Sequence, residues 1–232
     1  MSSDISQFLS LLSKSFTLQD AFNPWADVDQ ENDMGPFSPE IRQRQLSHYL
    51  ESRLREAKYV LIGEAVGYGG GHFSGIAMTS ERILLGFQKG RGIHPEHVLP
   101  ALKPQRTSRP EIMRRGFAEP TATIVWDTIV NSSLRPTEFV LWNAFAWHPF
   151  NPKKGILSNR KPKTREMVYG RKTLIGFLEL FSDAIVIGVG KTSAYCLDAL
   201  DTDFYSVRHP AQGGAQEFRS QFSQILDRTR SS

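Results

Sequence analysis

The sequence predicts an α/β protein, a three-layer α/β/α arrangement around a central four-stranded parallel sheet. Two observations predict it. Four short apolar runs, 59–65 (YVLIGEA), 139–145 (FVLWNAF), 184–190 (AIVIGVG) and 204–210 (FYSVRHP), have the near-continuous hydrophobicity of strands buried on both faces. Stretches with helical spacing, at 39–57, 120–133, 164–181, 191–200 and 215–230, lie between and after them. Strands that alternate with helices pair in parallel, joined by right-handed crossovers that cover both faces of the sheet.

The 232 residues suffice for one full-sized core, and no repeat or linker divides them. The expected organisation is a single domain over 1–232, with 1–38 as an N-terminal helical extension. The opening, MSSDISQFLSLLSKSF, has the spacing of an amphipathic helix and lacks the residue order of a secretory signal. No apolar stretch approaches the ~18 residues of a membrane span. Hydrophobic residues at 40% and charged residues at 22% fit a soluble globular chain, expected in the cytoplasm. The one cysteine, Cys196, excludes an intramolecular disulfide, a cysteine zinc site and a four-cysteine iron–sulfur cluster. Within the helical pattern SAYCLDAL it reads as an inert, buried thiol. No His, Cys, Asp or Glu cluster has ligand spacing, so neither a metal nor an organic cofactor is expected.

A net charge of +4 tolerates a polyanionic partner without proving one. Its distribution says more. Lys153, Lys154, Arg160, Lys161, Lys163, Arg165, Arg171 and Lys172 fall in one region, and Arg106, Arg109, Arg114 and Arg115 in another. They read either as a solvated surface or as a stripe of phosphate contacts.

Long loops rich in Gly and Pro occupy 66–76, 88–119 and 146–163, and loops of that length are usually functional or disordered. Parallel sheets hold ligands outside the carboxyl ends of their strands, where this sequence places Glu64, Asn143 and His209. After Gly63-Glu64-Ala65-Val66 come five glycines (Gly67, Gly69, Gly70, Gly71 and Gly75) that let a backbone approach a ligand closely. The order matches neither a phosphate loop nor a dinucleotide fingerprint, and on spacing alone a flexible turn explains it equally well. Asn143 ends an apolar strand, a costly place for an unsatisfied amide. Its donor and acceptor suit a ligand edge that pairs an N–H with a carbonyl, although a core Asn capping a turn has the same look. His209, in Val207-Arg208-His209-Pro210-Ala211-Gln212-Gly213-Gly214, is placed to donate to an oxygen that becomes anionic, or else is structural. His148, in Trp147-His148-Pro149-Phe150, reads as a surface residue orienting the basic loop 151–165.

Together these three segments resemble the uracil-DNA glycosylase superfamily. The first resembles its G-E-A-P-G motif with a following G-x-P-F-type segment, here Gly75-Ile76-Ala77-Met78. The second resembles the strand ending in the uracil-reading Asn, and the third resembles the H-P-S/A motif. The resemblance covers about residues 58–225. It departs from the pattern at Val66, where proline is usual, at Met78, where an aromatic stacks on the base, and at Ala65, where one branch has a water-activating aspartate.

The resemblance implies a cluster-free, monofunctional glycosylase acting on DNA as a monomer. Asn143 would read the base, His209 would stabilise the departing uracilate, and Glu64 would activate water or brace the loop. Gly63, Ala65, Val66, Gly67, Tyr68, Phe73 and Met78 would line the base pocket, with Phe73, Tyr68 or Met78 as its stacking face. Gln212, with Gly213 and Gly214, would probe the gap left in the duplex, and Asn159, Arg160 and Lys161 would touch phosphates. Three other readings remain at this point. One is a glycosylase for hypoxanthine, xanthine or an oxidised pyrimidine. Another is a catalytically weak DNA-binding relative. A small nucleotide-binding enzyme is disfavoured by the missing phosphate-loop lysine.

Overall fold

The computed structural model describes residues 3–14 and 18–230. In chain order, α1 (Ser3–Leu12), the two-residue β1 (Ala21–Phe22) and α2 (Ser38–Glu51) precede the first long strand, β2 (Tyr59–Ala65). Three one-turn helices follow: α3 (Gly71–Ser74), α4 (Glu81–Leu84) and α5 (Pro95–Val98). Then come α6 (Pro120–Val130), β3 (Phe139–Phe145), β4 (His148–Pro149) and α7 (Thr164–Leu180). The chain closes with β5 (Ile185–Val189), α8 (Lys191–Asp198), β6 (Tyr205–Val207) and α9 (Ala215–Arg230).

The sheet is four-stranded and parallel, in the order β3-β2-β5-β6, as the apolar runs predict. β2 lies at its middle because Tyr59 to Ile62 are buried on both faces. Every residue of β3 is buried as well, since α7 packs along that edge strand. Trp142 anchors this side, stacked on Phe177 at 4.8 Å and on Trp25 at 5.7 Å, with Phe8 edge-on at 5.2 Å. Such aromatic pairs contribute about 0.5–1.5 kcal/mol each beyond their burial.

The N-terminal stretch differs from a helical extension. Helix covers Ser3–Leu12, residues 1, 2, 15 and 16 of the expected amphipathic helix lie outside the described residues, and 18–37 run mostly as turns. Ile5, Phe8, Leu9 and Leu12 enter the same core as the sheet. Strand and helix ends also shift: β6 stops at Val207, so His209 stands two residues beyond it. The expected helix 39–57 stops at Glu51. The next residues form turns in which buried Arg53 donates to the carbonyls of Phe139, Val98 and His97.

Candidate active site at the carboxyl ends of the strands

Asn143 on β3 lies in register with Gly63 on β2. A Cβ at Gly63 would stand 2.5 Å from Asn143 Oδ1 and 3.1 Å from Met78 Sδ. The absent side chain therefore lets the amide and the thioether close over the β2 backbone. Asn143 is 2% exposed, and neither its Oδ1 nor its Nδ2 has a hydrogen-bond partner. An unpaired buried polar group costs about 1–3 kcal/mol, a cost that a ligand with a complementary donor–acceptor edge would remove. Met78, buried and held at φ +46°, is the stacking candidate that the structure brings to Asn143. Phe73 is fully buried with one face stacked on Phe117 at 4.2 Å. Tyr68 meets Phe117 edge-on at 6.4 Å and stays partly exposed.

On the other side of the crevice, His209 packs against Gly190 at the end of β5, whose φ of +87° suits glycine. The Ala211 amide donates to His209 Nδ1 at 3.1 Å, so in the neutral ring Nε2 carries the proton. Burial lowers the pKa of His209, Glu64 pulls it up, and Arg208 adds to the lowering. The net effect favours a neutral imidazole with Nε2–H free to donate. Glu64 accepts a hydrogen bond from Thr192 in the first turn of α8. Cys196, partly buried, has its thiol pushed up by burial and then by Glu64, as an inert thiol would be. β3 and β6 are separated by three inter-strand spacings, about 14 Å at ~4.8 Å each.

Between these walls runs the Gly-rich loop. Ala65 is partly exposed at its start, and Val66 is buried with its methyl groups under Gly71. The glycines have a specific neighbour, the Ala118–Glu119 segment ahead of α6. A Cβ at Gly67 would stand 2.8 Å from Glu119 Oε1, one at Gly70 would collide with Oε2, and one at Gly69 with the Ala118 carbonyl. Glu119 Oε2 is buried without a partner, and burial pushes its pKa up to about 7. Sequence reasoning missed this residue, because Glu before Pro120 reads only as the start of a helix.

A second buried cluster lies just beyond the loop. His72 Nε2 meets Asp29 Oδ2 at 3.0 Å, His72 Nδ1 meets His148 Nδ1 at 2.9 Å, and His148 Nε2 meets the Ser158 carbonyl at 2.9 Å. His148 must donate to that carbonyl, so its Nδ1 accepts and His72 donates through Nδ1. The contact to Asp29 then needs a further proton, shared between His72 and the carboxylate. Burial raises Asp29, but the bonds from His72 and Asn32 outweigh it and hold its pKa low. Burial, with His72 adding to it, drives His148 to about 3. His148 is thus fully buried and not a surface residue, while its bond to Ser158 does orient the basic loop.

The residues expected at DNA separate. Gln212 and Gly213 are exposed, in consecutive left-handed conformations of +53° and +79°. Gly214 is buried beneath them, where a Cβ would strike the His209 carbonyl. Lys161 is exposed. Arg160 differs from expectation, because all five of its donors are committed. Nε bonds the Phe150 carbonyl, Nη1 the Lys161 carbonyl and Glu166, and Nη2 the Asp20 carbonyl and Glu166. Nothing remains for a phosphate. Asn159 accepts from the Tyr68 amide at 3.0 Å and so fastens the basic loop to the Gly-rich loop. Arg106, Arg109 and Lys163 are likewise tied into the fold, while Lys153, Lys154, Arg114, Arg115 and Arg165 stay exposed.

Two surface grooves, between α6 and α9 and between α1 and α2, lie away from this crevice. Thr229 on α9 bonds Tyr59 at the opposite end of β2. Among the described residues no group of three or more His, Cys, Asp or Glu is placed to hold a metal ion. None of their helices is long and apolar enough to cross a membrane. No protein-family model and no curated protein sequence matches the chain. Its fold matches the crystal structure of wild-type Pedobacter heparinus SMUG2 with a TM-score of 0.63 at 12% identity, over 100% of both chains. The fold is therefore the α/β fold of that protein, with the four-stranded parallel sheet at its centre.

Proposed function

We propose that this chain is a monofunctional DNA glycosylase that takes uracil out of the base stack and hydrolyses its N-glycosidic bond, leaving an abasic site. The observation that carries the reading is the orphaned Asn143 amide, closed in by Gly63 and Met78 at the strand ends. Its Nδ2 donates to uracil O4 and its Oδ1 accepts from N3–H. Met78 lies beside the ring, with sulfur–aromatic contact contributing ~0.3–1.5 kcal/mol. As the C1′–N1 bond breaks, its electron pair leaves with the base and charge gathers at O2. His209 meets that charge as a neutral Nε2–H donor. Water adds to C1′ and gives up its proton, and Glu64, steadied by Thr192, faces the positive sugar and accepts the proton from the water. Gln212 and Gly213 enter the gap in the duplex, and Lys161 contacts a phosphate. The chain works on DNA as a monomer, without a cofactor.

A second substrate class has one observation in its favour. Hypoxanthine and xanthine carry the same N–H/C=O edge as uracil, and the pliable Met78 in place of an aromatic ring accommodates a purine. Release of free base from single-stranded and paired oligonucleotides carrying uracil, hypoxanthine or xanthine tests both. Uracil release that collapses in His209→Ala supports the main reading, and purine release alone moves the substrate. DNA binding with no free base from any oligonucleotide refutes the enzyme.

A further inference from the structure

The carboxyl of Glu119 stands against the loop that receives the base in the reading above, and nothing in that reading uses it. Glu119 occupies the N-cap position of α6, yet its side chain makes no capping bond to the helix. It is directed instead at the backbone of Gly67 and Gly70, where a Cβ at either position would meet its carboxyl oxygens. Oε2 is sealed in without a hydrogen bond, while the residue as a whole is half-buried. A carboxylate in that position is unfavourable, while a neutral carboxylic acid packs there at far lower cost. We propose that Glu119 is a positioning residue for base excision: its neutral carboxyl holds the Gly-rich loop in the shape that receives the base, and its ionisation forces the loop away to let water reach the charge.

Burial is the sole cause moving the group, and it sets the transition at about 7. The groups around it leave that assignment clear. On the loop, Tyr68 is the titratable neighbour, with its ring against Phe117 and its amide held by Asn159, a neutral residue. On α3, His72 is committed to Asp29 and His148. On the strand preceding the loop, Glu64 is bonded to Thr192. From the 105–118 segment, Arg114 and Arg115 are exposed, and on α6 itself Asp127 pairs with Arg219. An acid whose folded pKa exceeds its unfolded value contributes stability fully below about 4.5 and loses it as pH rises through about 7.

The inference rests on the glycosylase reading for its consequence but not for its detection. Glycine-selective 15N labelling follows the Gly67, Gly69 and Gly70 amides from pH 5 to 9 in the full chain, without DNA. They are expected to move together with a midpoint near 7, and to stay fixed in Glu119→Gln, which keeps the shape of the neutral acid. Single-turnover base release is expected to fall roughly 30-fold between pH 6 and 8.5 in the native chain, following the neutral fraction. In Glu119→Gln that decline is absent. Glycine amides that do not titrate in the native chain, or titrate equally in the variant, overturn the inference even if base is released. Should the variant not fold, the native titration decides alone. Titration with no base release from any substrate upholds the loop device and overturns only the glycosylase reading.

Discussion

Two buried polar regions flank the Gly-rich loop, and they are built on opposite terms. On the side of α2 and α3, polar groups find partners. Arg42 donates to both oxygens of Asp33 and to the carbonyls of Pro24 and Asp27, and Asp29, His72, His148 and Ser158 form a continuous chain. On the side of the strand ends, the Asn143 amide and one Glu119 oxygen are buried with none. A saturated cluster fixes the fold, and removing one member leaves a charge stranded. The orphaned Asn143 amide costs stability until a ligand arrives, so deleting it should not harm the fold. The two regions therefore part along the line between stability and activity.

That division is open to attack from both sides, and the largest effect belongs to the saturated one. Arg42→Ala strands the fully buried Asp33 carboxylate, and a loss of about 3–5 kcal/mol is expected in denaturant unfolding. An Arg42→Ala protein of native stability would break the comparison at its root. Next comes His209→Ala, expected to slow base release by about 10²–10³ in single turnover with little change in stability. Asn143→Ala should lose at least about tenfold in the same assay, and should unfold no more readily than the native chain once its orphaned amide is gone. A marked loss of stability in Asn143→Ala would mean that the amide is paired after all.

Acid sharpens the contrast further. His148 has a folded pKa of about 3, below its unfolded value of 6.5. The unfolded chain therefore takes up the proton first. Its contribution is complete above pH 6.5 and is lost as pH falls toward 3, at up to about 1.4 kcal/mol per pH unit. Thermal unfolding followed from pH 7 to 4 should show that slope, and His148→Asn should flatten it. The smallest effect separates two neighbours. Lys161→Ala should reduce the salt slope of DNA binding by about one. Arg160→Ala should leave that slope alone and destabilise the fold instead, because its donors are spent on Glu166 and on backbone carbonyls.

The strands were legible because burial on both faces leaves an unbroken apolar run, and the helices because their spacing survives. Their ends were less so. Arg53 and the partly buried Leu54 continue an inward rhythm past Glu51 that reads as helix, although the chain has turned there to meet 97–98 and 139. Asn143 and His209 stood out because a polar residue in or just after an apolar strand is visible in the sequence, although a structural role has the same look there. Glu119 and His72 did not, since their burial comes from segments dozens of residues away in the chain. Arg160 was misread for the same reason: charge is visible in a sequence, but whether that charge is already neutralised is a property of the fold.

The packing of α1 and Trp25 behind Trp142 bears on what a shortened chain would lose. Met34 is the next methionine after Met1. A polypeptide begun there would contain every strand of the main sheet and all three sequence motifs. It would lack Phe8 and Trp25, which brace the residue preceding Asn143, together with Asp33 and Asp29, the acidic partners of Arg42 and His72. Such a product would look intact to a motif search and be crippled as a protein.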